Sequence, residues 1–566
     1  MGLYTQVNPM TSLDHLENTQ KSTDKVENPY EVKNLDHLGL IAAQFDALGL
    51  VEQIDTMVPQ CGEKRNVSIG QAVKAMVING LGFANHTLYL MPEFFADKPV
   101  ERLIGAGITA EDLNQNLFGR CLDVIHKFDV TQFFMRLSTH TVKQLELPCL
   151  GTHIDTTSFH VDGKYNSNHE ATEGVVQITK GYSRDHRPDL NQVSLQLIVE
   201  NQAGIPLVMQ ALDGNSSDKS SFTEAVNTHV DQLKRDLGVE YLVGDSALYT
   251  ADSLKQMNGT YWISRVPETL SDAQTIIEEI SPQLMTDIHQ EAHSSVCMNY
   301  ADVQQRWVVN YSPQAYQRAI TSVNKQCLKL SSQELKQFNK LCQKAFACEK
   351  DAKKALEALE KKLKMTQVFD FSLIKKPRFN KKGRPAKEAQ PDYYVWQIEG
   401  GIASIIATRA SKLRRKSCFI IATNQLDDAE LNDEELIRRY KQDQQKVERG
   451  FRFLKDPQFL AATLYLNKPE RIMALLMIMT LSLLIYSTLE YRIRTALDEE
   501  DETFPDQLGR PIKNPTTRWV FQYFSGIHEL NINQKQIVIL NLKVKQLLIL
   551  KLLGKGFQQI YSGTRQ

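Results

Sequence analysis

The stretch CLGTHIDTTSFHVDG, Cys149 to Gly163, reads as a β-strand that runs into an Asp-Gly turn and carries a carboxylate in its middle. Thr, Ile, Phe and Val dominate it, residue types that suit a pleated, half-buried surface. An unpaired carboxylate is costly to bury, so Asp155 in such a strand requires compensation. The segments downstream decide the fold class. A polar stretch, GYSRDHRPDLNQ (Gly181 to Gln192), leads into two strands, VSLQLIVEN and IPLVMQAL, joined by a turn at Gln202-Ala203-Gly204. A helix starts near Asp218 and runs past Leu233. The short apolar strand YLVGD (Tyr241 to Asp245) follows, then a helix near Ala251 and the strand YWISRV (Tyr261 to Val266). Strand, strand, strand, helix, strand, helix, strand predicts an antiparallel meander that passes into α/β units.

Upstream, residues 34 to 148 read as helical. Ser68 and Gln71 form a capping-box pattern before Ala72, Val73, Met76 and Val77, and Thr109 with Asp112 precedes the apolar face Leu113, Leu117, Cys121 and Ile125. The polar residues before them are expected to be poorly ordered. Downstream, the alternation breaks off. Ser331 and Glu334 offer another capping box, and Leu335, Phe338, Cys342, Leu356 and Leu363 predict a helix reaching Met365. Strands resume at YYVWQIEG, IASIIAT and SCFIIAT; a charged helix covers Asp433 to Leu454, and the remainder is mostly helical.

The chain has 566 residues, room for roughly three to four domains. Its 23% charged and 42% hydrophobic residues exclude wholesale disorder and a polytopic membrane protein. Eight cysteines without a Cys-x-x-Cys pair suit a reducing cytoplasm, and no basic start with an apolar run marks a signal peptide. The uncharged run Ile472 to Leu489 has the minimum length of a membrane span, but Thr480, Ser482, Ser487 and Thr488 dilute it, so a buried core helix is expected. The formal net charge of −1 argues weakly against nucleic acid until its distribution is read. Between Phe371 and Lys416 stand twelve basic residues against three acidic ones. They include Lys381, Lys382 and Arg384 around a Gly-Arg-Pro core, and Arg414, Arg415 and Lys416. Such a segment suits DNA phosphates.

Three acids carry the candidate chemistry. Asp155 lies within the first strand of the meander, Asp245 ends a short buried strand where α/β folds place ligands, and Glu448 lies on the charged helix. Carboxylates on adjacent strands repel unless a cation separates them, and hard cations favour such oxygen ligands in phosphodiester chemistry. Arg452 and Lys455 follow Glu448 by four and seven residues and share its helical face.

At these residues the chain resembles the DDE transposases of bacterial insertion sequences, in the cut-and-paste group. HIDTTSFHVDG, GYSRDHRPDL, YLVGDSALYT and VERGFRFLKDP carry the resemblance, with LNQNLFGRCLD and NPTTRWVFQYF beside them. The resemblance implies an α/β fold: a ribonuclease-H-like mixed sheet interrupted by a β-rich insertion, with helical domains on either side. The expected divisions are a tail (1–33), an N-terminal helical DNA-binding domain (34–148), the first part of the catalytic core (149–268), an insertion (269–425), the second part (426–460) and a helical C-terminal domain (461–566). It implies that Asp155, Asp245 and Glu448 bind two divalent cations, Mg2+ or Mn2+, and that Lys455 contacts a phosphate. The partners implied are the element's terminal inverted repeats and target DNA, engaged by a synaptic homodimer in the cytoplasm, with no membrane. The activity implied is cleavage at element ends followed by strand transfer. A nuclease of the same fold without strand transfer, and an inactive DNA-binding protein, are the alternatives. One departure stands out. The wider group carries Tyr, two residues, Arg, three residues, Glu, six residues, Lys; here Gln444 occupies the Arg position and Tyr440 stands one residue early.

Overall fold

The computed structural model describes residues 29–566 except 59–65, 84–86, 162–164, 166–173, 184–185, 258, 381–389, 457–465, 467, 534 and 564–566. Five strands build one part of an eight-stranded sheet: β1 (Gly151–His160), β2 (Gln192–Glu200), β3 (Pro206–Leu212), β4 (Tyr241–Gly244) and β5 (Tyr261–Arg265). Every residue of β2 is buried, as a strand covered on both faces must be. The β2–β3 turn forms where Gln202-Ala203-Gly204 predicts it. Gly204 takes a positive φ of 75°, and the buried Glu200 carboxylate accepts the N–H groups of Gln202, Ala203 and Ile205. β1, β2 and β3 run antiparallel, while β4 and β5 run parallel to β1. The order β3-β2-β1-β4-β5 with these directions is the ribonuclease-H-like sheet that was expected.

The chain then adds β6 (Ala292–Tyr300) and β7 (Val303–Tyr311), makes a separate hairpin of β8 (Thr366–Arg378) and β9 (Tyr393–Ser404), and returns as β10 (Cys418–Thr423). β10 pairs antiparallel with β5, and β7 and β6 continue beyond it, giving β3-β2-β1-β4-β5-β10-β7-β6. Residues 269–425 therefore do not stand wholly apart as an insertion. Three of their strands extend the sheet of β1 to β5, because the β5 edge leaves backbone groups that need partners. The β8–β9 hairpin and the helices beside it form a separate small core around Phe338, Phe346, Leu356 and Ile398.

Three other expectations need correction. Residues 30–34 belong to a strand, paired antiparallel with His528–Ile532, rather than to a tail, since their partner lies near the other end of the chain; residues 1–28 lie outside the described ones. Ser331 caps nothing: the helix Pro313–Cys342 begins at Ser312, and a second helix, Glu349–Glu360, replaces its expected continuation. Buried Glu334 instead accepts the N–H groups of Lys364 and Met365 and the hydroxyl of Thr366, fastening the start of β8. IASIIAT splits, with Ser404 ending β9 and Ile406–Ser417 forming a helix. By contrast the Ser68–Gln71 capping box forms as read. Thr109 donates to Asp112, but the helix starts later, at Gln115 with Asn114 as its cap.

The apolar run lies in the helix Pro469–Glu499, whose hydrophobic window is 83% buried inside the protein. Thr480 and Ser482 return their hydroxyls to the carbonyls of Leu476 and Ile478, so they cost little there. Gln44 and Arg471 tie this helix to the N-terminal helices through Thr488 and Asp123. It is the central strut of a core that joins the N-terminal helices, β3 and the C-terminal elements.

Candidate active site

Asp155 lies within β1, opposite Leu197 of β2. On its other side β1 runs parallel to β4, and the last registered pair is Ile154 with Gly244. The next residues along the two strands are Asp155 and Asp245, so register alone brings the two acids side by side, with strands about 4.8 Å apart. Gly244 is required there, since a Cβ would come within 2.8 Å of the Leu248 side chain. Asp245 then leaves the strand in a tight turn, its carboxylate accepting the Ala247 N–H at 2.8 Å. Ser264 of β5 donates to its backbone carbonyl at 2.9 Å, and the Asp155 carboxylate accepts the Thr156 N–H at 2.7 Å.

The Glu448 helix (Asp433–Leu454) is nucleated by Asn432, which caps the Glu435 N–H at 2.8 Å, and by three acids in its first turn that favour the dipole. It packs across β1, β4 and β5 through Leu436, Tyr440 and Val447. Tyr440, 6% exposed, reports the electrostatics of this region. Burial pushes its hydroxyl up to about 12; Arg265 opposes the rise, and the charges of Asp245, Asp155 and Glu448 all add to it. The three predicted acids therefore act on one point. Glu448 itself is exposed, and among the described residues no three His, Cys, Asp or Glu side chains stand close enough together to hold one metal ion.

A cleft of about 750 Å³ opens at the carboxyl ends of β4 and β5, lined by Asp245, Ser246, Arg265, Glu268, Tyr440 and Gln444. Neither Asp155 nor Glu448 lines it. Arg265 escaped the sequence reading. It ends β5, pairs with Glu268 at 2.6 Å and lies over the Phe419 ring at 5.5 Å. Its position was legible: a lone cation at the end of the strand beside Asp245. Tyr440 and Gln444, out of step with the wider group's spacing, both face this cleft.

The expected DNA contacts divide. Arg452 is exposed, and Lys455 lies with its ammonium 5.8 Å from the Phe159 ring of β1. Arg414 and Arg415 are engaged by Glu278 at 2.6 and 3.0 Å, and Arg415 also donates to Gln274, whereas Lys416 is exposed. Lys381, Lys382 and Arg384 lie outside the described residues. His153 is a buried side chain whose ring nitrogens have no hydrogen-bond partner among the described residues, and burial pushes it down to about 3. His289 precedes β6 and His293 lies within it, so the pair does not share a helix.

No curated protein matches the chain. Among solved structures it is similar to a piggyBac transposase synaptic complex with hairpin DNA, determined by cryo-electron microscopy, at a TM-score of 0.37 and 9% identity over 86% of this chain and 80% of that one. A domain of unknown function, DUF4277, matches residues 30–139. The family described as a transposase DDE domain matches residues 151–485, from the first residue of β1 past Asp245 and the Glu448 helix into the central strut. The chain belongs to that transposase family.

Proposed function

We propose that the protein cuts DNA at the ends of a mobile element and joins the freed 3′-hydroxyl to target DNA, using Asp155, Asp245 and Glu448. The observation that carries this is the register that sets Asp155, in the middle of β1, beside Asp245 at the end of β4 under the crossing Glu448 helix, with the charges of all three acting on Tyr440. Carboxylates are the hard oxygen donors that Mg2+ and Mn2+ favour, and two like charges in register call for a cation between them. Asp155 and Asp245 would hold such ions, with Glu448 and the DNA phosphate completing the donor set as DNA seats. Bound there, they supply charge stabilisation and an acidified water.

The chain's own groups account for the remainder. Arg265, at the cleft wall, offers a guanidinium to a phosphodiester beside Asp245, and Lys455 offers an ammonium from the end of the Glu448 helix. Cleavage adds water to the phosphorus and releases the 3′-oxygen, which takes up a proton. Joining repeats the displacement with that 3′-hydroxyl as nucleophile, and the displaced target oxygen takes the proton. Both steps spread charge over the same phosphoryl oxygens, so one preorganised site serves both. DNA carrying labelled element ends and a target duplex tests the proposal. Joined products are expected. Cleavage without joining assigns the nuclease reading instead, and unchanged activity in Asp155→Ala removes the site assignment.

A further inference from the structure

A second groove, about 700 Å³, lies on the other flank of the Glu448 helix, against the Pro469–Glu499 helix, the β2–β3 turn and residues 514–518. Lys446, Arg449, Arg452, Arg494 and Arg518 line it, against two acids, Asp456 and Glu490. Both acids are engaged internally. Asp456 pairs with Arg518 at 2.7 Å, and Glu490 pairs with Arg494 at 2.7 Å and accepts the Thr517 N–H. Lys446 is anchored by donating to the carbonyls of Asn201 and Gln202. Arg449 and Arg452 are exposed and have no ion pair or hydrogen bond among the described residues. Three residues apart, they share a helix face, and both fall within about one turn of Glu448.

We propose that this groove seats the phosphate backbone of one DNA strand beside the carboxylate site. The inference rests on the DNA chemistry proposed above and adds a binding surface to it. Internal pairing leaves two uncompensated guanidiniums on a wall whose acids are already neutralised. Guanidinium is the group best shaped for bidentate contact with phosphate oxygens. The surrounding paired side chains hold the walls apart, so a strand enters without breaking them.

The test measures fluorescence anisotropy of labelled single-stranded and duplex oligonucleotides with the full chain, in divalent-free buffer across a salt series. The double variant R449E/R452E is expected to lose at least tenfold in affinity near ~100 mM salt. Its salt slope should fall by roughly two, the share of two phosphate contacts. The variant K361E/K362E makes the same charge change at exposed lysines after the Glu349–Glu360 helix and is expected to bind as the parent does. Unchanged affinity in R449E/R452E overturns the proposal. So does an equal loss in K361E/K362E, which would mark a net-charge effect, or equal competition by polyglutamate, which would mark an acidic peptide site. A parent chain that binds DNA in this groove but never cuts or joins it defeats the transposition reading alone.

Discussion

Two places in this molecule set carboxylates against arginines, and they are built in opposite senses. At Glu278 one carboxylate faces two guanidiniums, Arg414 and Arg415, with Ser411 donating as well. Burial alone would raise its carboxyl, but these donors hold it below the usual range. Every charge there has a partner within the chain. Around Tyr440 the charges of Asp245, Asp155 and Glu448 all raise its hydroxyl, and Arg265, which also pairs with Glu268, opposes them. The first site is closed. The second places Asp245 on the wall of an open cleft, where a group from solution can reach it. Counting acids and bases along the sequence does not separate the two; counting partners in space does.

The largest test of that contrast acts on chemistry. Asp245→Asn should lower cleavage and joining by on the order of 10³-fold or more while DNA affinity, measured without divalent ions, stays within about twofold. Equal loss of binding would mean that the acid is structural, as Glu278 is. Next, millimolar Mg2+ or Mn2+ should raise the thermal midpoint of the parent by a few degrees, as expected for a ligand well above its dissociation constant. The same ions should leave Asp245→Asn almost unmoved; an equal rise in both would place the ions elsewhere. Glu278→Gln should cost about 1 kcal/mol, read from the urea midpoint, by leaving the part-buried Arg414 and the exposed Arg415 short of their acceptor. Activity should survive it. The smallest effect lies at Tyr440, in metal-free buffer. Its ordinary value is 10 and its folded value about 12. Between these pH values the unfolded phenol ionises while the folded one keeps its proton, so stability falls as pH rises through the window. Tyr440→Phe should remove that one-proton share of the slope.

The contrast also explains why the basic segment misled the sequence reading in part. Arg414 and Arg415 belong to a strongly basic stretch, but the partner that engages them, Glu278, lies far upstream on the helix Ser271–Leu284. Arg452 was expected beside Glu448 as a phosphate contact. The fold turns it to a groove whose other wall comes from the Pro469–Glu499 helix. Arg265 went unremarked because a single arginine at a strand end is ordinary until the neighbouring strand is known to carry Asp245.

Much was legible. The run of apolar strands around Asp155, the QAG turn and the short strand before Asp245 encode local periodicity and turn chemistry, and these forecast β1 to β5 in the right order. The Asn432 cap and first-turn acids likewise make the Glu448 helix readable. These are interactions between residues close in sequence, so the chain alone determines them. Tertiary structure decided the rest: that β10, β7 and β6 extend the sheet of β1 to β5, that Tyr30–Asn34 pairs with His528–Ile532, which elements the buried apolar helix joins, and which arginines remain uncompensated. The reason is that sheet edges and charges are satisfied by whatever the fold brings alongside, and no local pattern records a partner hundreds of residues away.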